Sequence, residues 1–378
     1  MIARLVFLAA IAPTLLNAQS LLERFDQLDR NRDGLVDAGE LPRPELFQRF
    51  DRDGNGSIER SEISQPARPM REDDPRRMPE PPGLEVPPIP PHTSHTDIAY
   101  HEVEGVDPNL LSLDIYVPEL LGESEAPVLV MIHGGGWRKG DKASPTIIGH
   151  KRSHFLAKGY LFVSINYRLS PDGEGPSQEG VKHPTHAEDC ARALGWIHDH
   201  IAGYGGDPGQ IHLMGHSAGG HLAAIVGTNE RLLGVVDKEL SILRSNTILD
   251  TAAINVPGLL EASGGRGMTA LYHNAFGTDP ETHLDASPFH HVESGKGIPP
   301  TILFYSNDRM MLDVFAPAFA SKMREAGIAS RAINTHILDH GQINAHVGMI
   351  GDPMTPLIDR LHAGEDAATF PTEIYASK

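Results

Sequence analysis

The chain has 378 residues, enough for one large domain and a smaller one. Hydrophobic residues make up 40% of it and can build a sizeable core, while 22% are charged. The formal net charge of −18 argues against nucleic acid or an anionic membrane surface as a partner. Cys190 is the single cysteine, which excludes an intramolecular disulfide, and its helical context predicts a buried thiol.

The first 18 residues have the pattern of a secretory signal. Arg4 precedes the apolar run Leu5–Leu16, and the small residue Ala18 marks the expected cleavage site. A membrane anchor is the alternative, but the run is too short to span a bilayer comfortably. We therefore expect a secreted or periplasmic protein with no membrane association.

Residues 19–65 hold two twelve-residue loops, 29–40 and 51–62, with the EF-hand pattern. Gly34 and Gly56 provide the sharp turns, and Val36 and Ile58 stand at position eight, where a short strand pairs two such loops. The sequence thus predicts a Ca²⁺-binding EF-hand pair. Its predicted ligands are Asp29, Asn31, Asp33, Leu35 (through its carbonyl), Asp37, Glu40, Asp51, Asp53, Asn55, Ser57, Glu59 and Glu62.

Prolines at 42, 44 and 66 shorten the helices that leave the loops, which favours a static, calcium-stabilised module over a sensor that opens. Docking to a scaffold protein through this pair is a second interpretation. Residues 66–96 are rich in proline and predict a semi-extended spacer between the module and a catalytic domain at 97–378.

From about residue 97, apolar runs alternate with helical patterns, as a mostly parallel α/β sheet requires. The first two strands predict an antiparallel hairpin. The predicted strands are Ile98–Val103, Leu111–Val117, Val128–Ile132, Leu161–Ile165, Ile211–Met214, Ala252–Val256, Thr301–Tyr305 and Arg331–Ile337. The predicted helices are about 146–158, 185–203, 218–228, 313–326 and 353–362. This pattern predicts an α/β-hydrolase fold, a mostly parallel eight-stranded sheet with helices on both faces, preceded by the small helical EF-hand pair.

The pentapeptide Gly215-His216-Ser217-Ala218-Gly219 follows a predicted strand and precedes a predicted helix. G-x-S-x-G in that context is the nucleophile elbow, a strained turn that exposes a serine hydroxyl. His133-Gly134-Gly135-Gly136 follows another strand and supplies backbone N–H groups for an oxyanion. We predict Ser217 as the nucleophile, and Gly134, Gly135 and Ala218 as the oxyanion hole.

A serine needs a general base, and the base needs a carboxylate that fixes its tautomer. In this fold the acid and then the histidine follow the nucleophile along the chain. Asp308, after the strand Thr301–Tyr305, is the predicted acid, with Asp313 as the alternative. His340, after the last strand, is the predicted base, in preference to His336 and His346.

Residues 97–363 resemble secreted carboxylesterases of the hormone-sensitive-lipase-like and feruloyl or acetylxylan-esterase-like branch of the α/β-hydrolases. The residues that carry the resemblance are His133–Lys142, Ile165–Ser170, Pro184 with Asp189, Tyr204–Pro208, Gly215–His221, Ser287-Pro288, Pro299-Pro300, His340-Gly341 and Gly351-Asp352-Pro353. One departure is Phe304–Asp308, where relatives usually have a His-Gly pair before the acid. The resemblance implies ester hydrolysis through an acyl-enzyme, without a catalytic cofactor.

The leading hypothesis is an exported carboxylic-ester hydrolase that removes acetyl or feruloyl groups from polysaccharide, or acts on a small-molecule ester, with structural Ca²⁺ in the EF-hands. An amidase of the kynurenine-formamidase type is the second enzymatic hypothesis, and a prolyl-oligopeptidase-type peptidase is disfavoured because no propeller precedes the hydrolase. A calcium-dependent binding protein with an inactive hydrolase domain is the non-enzymatic alternative. The sequence leaves the acyl group, the alcohol and the oligomeric state open.

Overall fold

The structure is a computed structural model, and the chain divides into two compact units, residues 1–77 and 78–378. The residues that it describes are 25, 29, 31–32, 34–37, 40 and 57–59 of the first unit, and 83–119, 122, 124–171, 180–263 and 268–375 of the second. The predicted signal segment lies outside the described residues.

In the first unit, the two loops pair at one point. Val36 and Ile58 form an isolated antiparallel bridge, with N···O distances of 3.0 Å and 2.8 Å, and both side chains are fully buried. These are the position-eight residues of the two predicted loops, so the predicted pairing is confirmed. Gly34 has φ +88°, a conformation that a residue with a side chain rarely adopts.

The second unit is built on one eight-stranded sheet of order β1-β2-β4-β3-β5-β6-β7-β8. The strands are β1 His92–Ala99, β2 Ser112–Pro118, β3 Ala126–Ile132, β4 Leu161–Ile165, β5 Gly206–His216, β6 Leu243–Leu249, β7 Thr301–Tyr305 and β8 Ser330–Asn334. β1 pairs antiparallel with β2, and β2 antiparallel with β4, while all later pairings are parallel. The predicted α/β-hydrolase sheet and its N-terminal hairpin are confirmed.

Helices cover both faces of this sheet, because side chains along each inner strand alternate between two cores. On β3, Val128 and Val130 belong to a core that helices Thr185–His200, Ala218–Val226 and Leu312–Glu325 cover, whereas Leu129 and Met131 belong to a core that helices Pro145–Ala157, His340–His346 and Met354–His362 cover. Cys190 is buried in the first core, as predicted. The α-helices are α1 Pro145–Ala157, α2 Thr185–His200, α3 Ala218–Val226, α4 Glu230–Gly234, α5 Val256–Ser263, α6 Met268–Phe276, α7 Pro280–Asp285, α8 Pro288–His291, α9 Leu312–Glu325, α10 His340–His346 and α11 Met354–His362.

Several predicted strand boundaries differ from the structure, and the differences at β6 and β1 bear on the site and on the spacer. The strand predicted at Ala252–Val256 is wrong, since β6 is Leu243–Leu249 and α5 begins at Val256. β1 begins at His92, inside the predicted spacer, and Glu85 already pairs with Ile350. β1 was placed too late because most of its residues are polar and exposed, as an edge strand permits.

Among the described residues, no helix is both long and apolar enough to cross a lipid bilayer.

Candidate active site

Ser217 stands on the tight turn between β5 and α3. Its φ of 58° and ψ of −120° lie outside the regions that residues with a side chain normally occupy. A Cβ on Gly215 would lie 2.1 Å from the carbonyl oxygen of Gly219, and one on Gly219 would lie 2.2 Å from that of Ile132. Only glycine fits on either side of the serine, which is the physical reason for the G-x-S-x-G pattern.

His340 reaches Ser217 from the start of α10. Its Nε2 lies 3.0 Å from Ser217 Oγ, within hydrogen-bond distance. The helix start is fixed by a capping box, in which Asp339 accepts from the Gln342 amide and the Gln342 side chain accepts from the Asp339 amide. The structure therefore brings together the two residues predicted as nucleophile and base.

Asp250 completes the chain of hydrogen bonds. Its Oδ2 lies 2.6 Å from His340 Nδ1, and its Oδ1 accepts from the amide and the hydroxyl of Ser306 at 2.7 Å and 2.9 Å. Burial acts to raise the pKa of Asp250, but His340, the Ser306 amide and nearby Arg309 hold that pKa below its ordinary value. Asp250 therefore carries its negative charge beneath the imidazole.

The prediction of Asp308 as the partner of His340 is wrong. Asp308 is exposed, and its carboxylate contacts the Ser306 hydroxyl, whose single proton it shares with Asp250. The alternative, Asp313, is also exposed and lies in the first turn of α9, whose N-cap is Met311. Asp250 was missed because β6 was not recognised as a strand, although the apolar pair Ile248-Leu249 directly precedes it.

The other two candidate histidines lie elsewhere. His336 follows β8 and its Nε2 lies 2.9 Å from a Glu373 carboxylate oxygen at the surface. His346 ends α10 and is buried. Of the three candidate histidines, His340 is the one whose ring nitrogen lies within hydrogen-bond distance of Ser217 Oγ in the described part of the chain.

His216, the variable residue of the elbow, also contacts the histidine. Its Nε2 donates to the main-chain carbonyl of His340 at 2.9 Å, and the two rings lie 4.5 Å apart between centroids. Burial, together with His340 and Lys151, lowers the pKa of His216 to about 3. The ring is thus a neutral donor that holds the first residue of α10 against the elbow.

The predicted oxyanion-hole residues lie beside the serine. A Cβ on Gly134 would stand 2.9 Å from the His216 carbonyl oxygen and 3.1 Å from Ser217 Cβ, so glycine is required for this close approach. The Gly135 φ is +118°, and a Cβ there would meet the Lys139 carbonyl oxygen at 1.9 Å. Ala218 begins α3, where the first backbone N–H groups have no partner within the helix. All three face the cleft that holds Ser217.

His133 fixes the conformation of the glycine loop. Its Nδ1–H donates to the Gly134 carbonyl at 2.8 Å, and its ring stacks on Tyr167 with centroids 4.4 Å apart. The Tyr167 hydroxyl donates to the His133 carbonyl at 3.0 Å. Burial lowers the pKa of His133 to about 4, so the ring is neutral near neutral pH.

A cleft of about 930 Å³ opens above Ser217. Its lining includes the apolar residues Ala252, Ala253, Met268 and Leu271, together with Tyr272. Residues of the N-terminal half of α1 and of α10, both polar and apolar, also line it. Trp137 also lines the cleft, but it is almost fully buried because its ring packs on His221, Tyr272 and Phe276.

The first EF-hand loop of the N-terminal unit directs carboxylates into its own turn. Asp29 Oδ2 accepts from the Gly34 amide at 2.9 Å. Glu40 folds back so that its two oxygens accept from the amides of Asn31 and Asp37, each at 3.2 Å. Asp29 and Glu40 are buried acids at loop positions one and twelve, a donor set of hard oxygens that suits Ca²⁺.

Part of the predicted calcium set is not described. Leu35, Ser57 and Glu59 are described, but Asp33, Asp51, Asp53, Asn55 and Glu62 lie outside the described residues. Within the described part, no group of three or more His, Cys, Asp or Glu side chains is arranged to hold a metal ion.

Comparison with known families gives two matches. The BD-FAE family matches residues 113–314, just over half of the chain, and the region holds Ser217 and Asp250. The EF hand family matches residues 22–43 and 45–65, the two predicted loops.

Curated relatives are esterases. The chain is 32% identical over 266 residues to "Esterase LipQ" of Mycobacterium tuberculosis, covering 65% of this chain and 58% of LipQ. It is 27% identical over 240 residues to "Carboxylesterase NlhH" of the same species, covering 61% of this chain and 70% of NlhH. The match thus spans little more than half the length of LipQ.

Solved structures share the fold. Esterase B from Lactobacillus Rhamnosis aligns with a TM-score of 0.57 and 21% identity, over 75% of this chain and 90% of that one. A truncated carbohydrate esterase from gut microbiota aligns with a TM-score of 0.58 and 18% identity, over 74% of this chain and all of that one. At these identities the likeness concerns the fold.

Proposed function

Because this chain belongs to the BD-FAE family, we propose that it is an exported serine carboxylic-ester hydrolase with the triad Ser217, His340 and Asp250. The observation that carries the proposal is the continuous hydrogen-bond chain from Ser217 Oγ through both His340 nitrogens to the buried Asp250 carboxylate. This arrangement joins a nucleophile, a base and an acid that fixes the tautomer of the base. The esterase relatives support the reaction type.

In the proposed reaction, His340 Nε2 takes the proton of Ser217 Oγ as the oxygen attacks the ester carbonyl carbon. The developing oxyanion accepts hydrogen bonds from backbone N–H groups of Gly134, Gly135 and Ala218, each worth about 3 kcal/mol. His340 then gives the proton to the leaving alcohol oxygen. Water activated by the same nitrogen hydrolyses the acyl-enzyme and regenerates the serine. Asp250 stays ionised and stabilises the imidazolium.

Acetyl or feruloyl esters of polysaccharide are the proposed natural substrates, with small soluble esters as the simplest ones. The resemblance to feruloyl and acetylxylan esterases and the predicted export motivate this choice. An amidase is the second candidate, since the glycine loop of kynurenine formamidases is similar. The ester and amide activities are separated by comparing rates on esters with the rate on p-nitroacetanilide, an amide. The esters are p-nitrophenyl acetate, butyrate and octanoate, methyl ferulate and acetylated xylan.

The direct test is Ser217→Ala in the full chain, with covalent labelling by diethyl p-nitrophenyl phosphate. We expect the wild type to be labelled once and inactivated, and the variant to be neither labelled nor active, several orders of magnitude below the wild type. Near-wild-type turnover by a folded Ser217→Ala protein would reject the proposal. Faster turnover of the anilide than of the ester would favour the amidase.

We further propose that the N-terminal unit binds structural Ca²⁺, with Asp29, Asn31, Leu35, Asp37 and Glu40 holding it in the first loop. The metal would be coordinated by oxygen atoms that already lie close together in the loop. It would stabilise the folded state because it binds that state only. Docking to another protein through this unit is an additional proposal, motivated by the paired loops.

We expect EGTA to lower the melting temperature of the N-terminal unit while kcat on p-nitrophenyl acetate stays nearly unchanged. Sites of extracellular EF-hands often bind at about 10⁻⁴–10⁻³ M, so the titration should extend into that range. Excess Mg²⁺ in place of Ca²⁺ is the control. Loss of most activity on chelation, restored by Ca²⁺, would assign the ion a role at the active site.

A further inference from the structure

Two carbonyls near the carboxyl end of α10, those of Asn344 and Ala345, lie where the backbone stops serving the helix. The last four carbonyls of an α-helix have no amide partner within it. The Gly348 amide would bond the Asn344 carbonyl if the helix continued, but it donates to Thr355 Oγ1 at 2.8 Å. The Met349 amide would bond the Ala345 carbonyl, but it donates to the next carbonyl at 2.9 Å. The carbonyls of Asn344 and Ala345 thus accept from outside α10.

Two consecutive side chains of α1 supply the donors. Lys151 Nζ donates both to the Asn344 carbonyl and to Asn344 Oδ1, the latter at 2.8 Å. His150 Nδ1 donates to the Ala345 carbonyl at 2.8 Å. In return, Asn344 Nδ2 donates to the Thr146 carbonyl of α1 at 2.7 Å. Lys and His side chains suit this end of a helix, which carries the negative end of the dipole. α1 therefore caps the carboxyl end of α10.

The backbones of the two helices also touch at this point. Gly348, directly after the C-cap of α10, has φ +91°. A Cβ there would lie 2.4 Å from the His150 carbonyl oxygen and 2.8 Å from the Lys151 amide nitrogen. Only glycine allows the chain leaving α10 to pass so close to α1. The cap thus acts across a tightly packed contact.

Lys151 is 2% exposed, which is unusual for a lysine. Burying its nitrogen is costly unless the N–H groups find acceptors, and the two oxygens of Asn344 are such acceptors. Burial lowers the pKa of Lys151 to about 7, although the Asp352 carboxylate opposes this effect. The ammonium and the neutral amine both carry N–H donors, so the cap persists on either side of neutral pH.

The cap bears on catalysis because α10 carries His340 as its first residue. α10 has seven residues, too few for a helix that is stable by itself. His216 Nε2 holds its amino end through the His340 carbonyl, and α1 holds its carboxyl end. The imidazole must keep 3.0 Å to Ser217 Oγ and 2.6 Å to Asp250 Oδ2. Misplacing a reacting group by 1 Å can cost about 10²-fold in rate.

We propose that Lys151 and His150 are positioning residues for the general base: by capping the carboxyl end of α10, they hold the His340 imidazole between Ser217 and Asp250. This inference rests on the proposed esterase function and adds two residues to its site. Both side chains also line the cleft. In this role, however, their nitrogens bond α10 and take no part in bond making or in holding the substrate.

The test is Lys151→Met in the full chain, which keeps most of the side-chain stem and removes the donors. We expect kcat on p-nitrophenyl acetate to fall about ten- to hundredfold, with KM within about twofold of the wild type. Rates are measured well below the melting temperature, so that a loss of stability alone does not lower kcat. The second readout is the downfield proton NMR signal of His340 Nδ1–H, assigned by its absence in His340→Ala. We expect this signal to shift or broaden in Lys151→Met.

Lys158→Met is the matched control. Lys158 follows the same helix, is half-exposed, and pairs with Asp359 of α11 at 3.1 Å instead of with α10. Its kcat and its NMR signal should equal those of the wild type. His150→Ala removes the single bond to Ala345 at a less buried position, and it should lower kcat roughly two- to fivefold at unchanged KM.

A folded Lys151→Met protein with wild-type kcat and an unmoved signal would overturn the inference while leaving the esterase function intact. So would a rise in KM at unchanged kcat, which would mean that Lys151 contacts the substrate, or an equal loss of kcat in Lys158→Met. If Lys151→Met does not fold, a wild-type kcat in His150→Ala would overturn the inference in the same way. A wild type inactive on p-nitrophenyl acetate would reject the proposed function, and the NMR signal would still show whether the cap positions His340.

Discussion

An aspartate follows the carboxyl end of each of the neighbouring strands β6 and β7, but one carboxylate is buried and the other is exposed to solvent. Asp250 directly follows β6, is fully buried, and its amide donates to the Phe304 carbonyl of β7 at 2.9 Å. Asp308 comes three residues after β7 and is exposed. Ser306 lies between them, and its hydroxyl contacts both carboxylates.

This difference shows that the position of a carboxylate relative to the strand end decides which partner it can reach. A residue placed immediately after a strand stays in the plane of the sheet, close to the end of the next strand. Asp250 has a φ of 49°, which turns its backbone at that point, and His340 Nδ1 meets its carboxylate. A carboxylate farther along the loop, such as Asp308, is solvated instead.

The largest expected effect is that of Asp250→Asn. The amide keeps the shape of the side chain but carries no charge, and its NH₂ group can donate to Nδ1 and favour the wrong tautomer. It therefore cannot stabilise an imidazolium, and kcat should fall about 10³- to 10⁴-fold. Asp308→Asn, the matched change at the end of β7, should stay within a few-fold of the wild type. Both are measured by initial rates on p-nitrophenyl acetate, with circular dichroism to verify folding.

The opposite result would also be informative. If Asp308→Asn lost the greater part of kcat and Asp250→Asn did not, the carboxylate after β7 would be the functional acid. The loop 306–309 would then have to rearrange when substrate binds.

Much of the fold followed from the sequence, because most of its strands are apolar. β7 and β4 are fully buried strands with mostly apolar residues, and both were located residue for residue. Ser217 was found because its turn excludes side chains from Gly215 and Gly219, which leaves a recognisable motif. His340 was found because it follows the predicted end of the last strand at Ile337, although β8 ends earlier, at Asn334.

β6 was missed because its middle is polar. Asn246 donates from Nδ2 to the Ala223 carbonyl at 2.8 Å, and the Ser245 hydroxyl lies 2.8 Å from His212 Nδ1. Such partners come from β5 and α3, far along the chain, and they satisfy polar groups that would otherwise be costly to bury. The periodicity of a single segment does not reveal them. Because the strand was predicted at Ala252–Val256, Asp250 was placed before it. In the structure, Asp250 directly follows β6.

The second prediction concerns pH. The pKa of Asp250 is held below its ordinary value by His340, the Ser306 amide and Arg309, against the effect of burial. A lowered pKa means that the carboxylate stays ionised as the pH falls toward 3.8 and protonates only below it. The acid limb of log kcat/KM should therefore have a slope of about one, a tenfold loss per pH unit, from protonation of a single group.

Asp308→Asn should leave this limb superimposable on that of the wild type. The measurement is kcat/KM on p-nitrophenyl acetate from pH 8 downward, over the range in which the protein stays folded. A limb with a slope of two, reduced to one in Asp308→Asn, would indicate that the carboxylate after β7 takes part in catalysis.

The smallest expected effect is that of Ser306→Ala, which removes the hydroxyl between the two carboxylates. Asp250 Oδ1 keeps the amide of residue 306 at 2.7 Å, so it loses one of two donors on that oxygen. Loss of a hydrogen bond to a charged group costs about 1.5–3 kcal/mol when nothing replaces it, and water entering the space should reduce this to a loss in kcat of roughly three- to tenfold. Because this hydroxyl is the contact that joins Asp308 to the site, Asp308→Asn should add nothing further in the Ser306→Ala background. A double variant much slower than Ser306→Ala alone would show that Asp308 reaches the triad by another route.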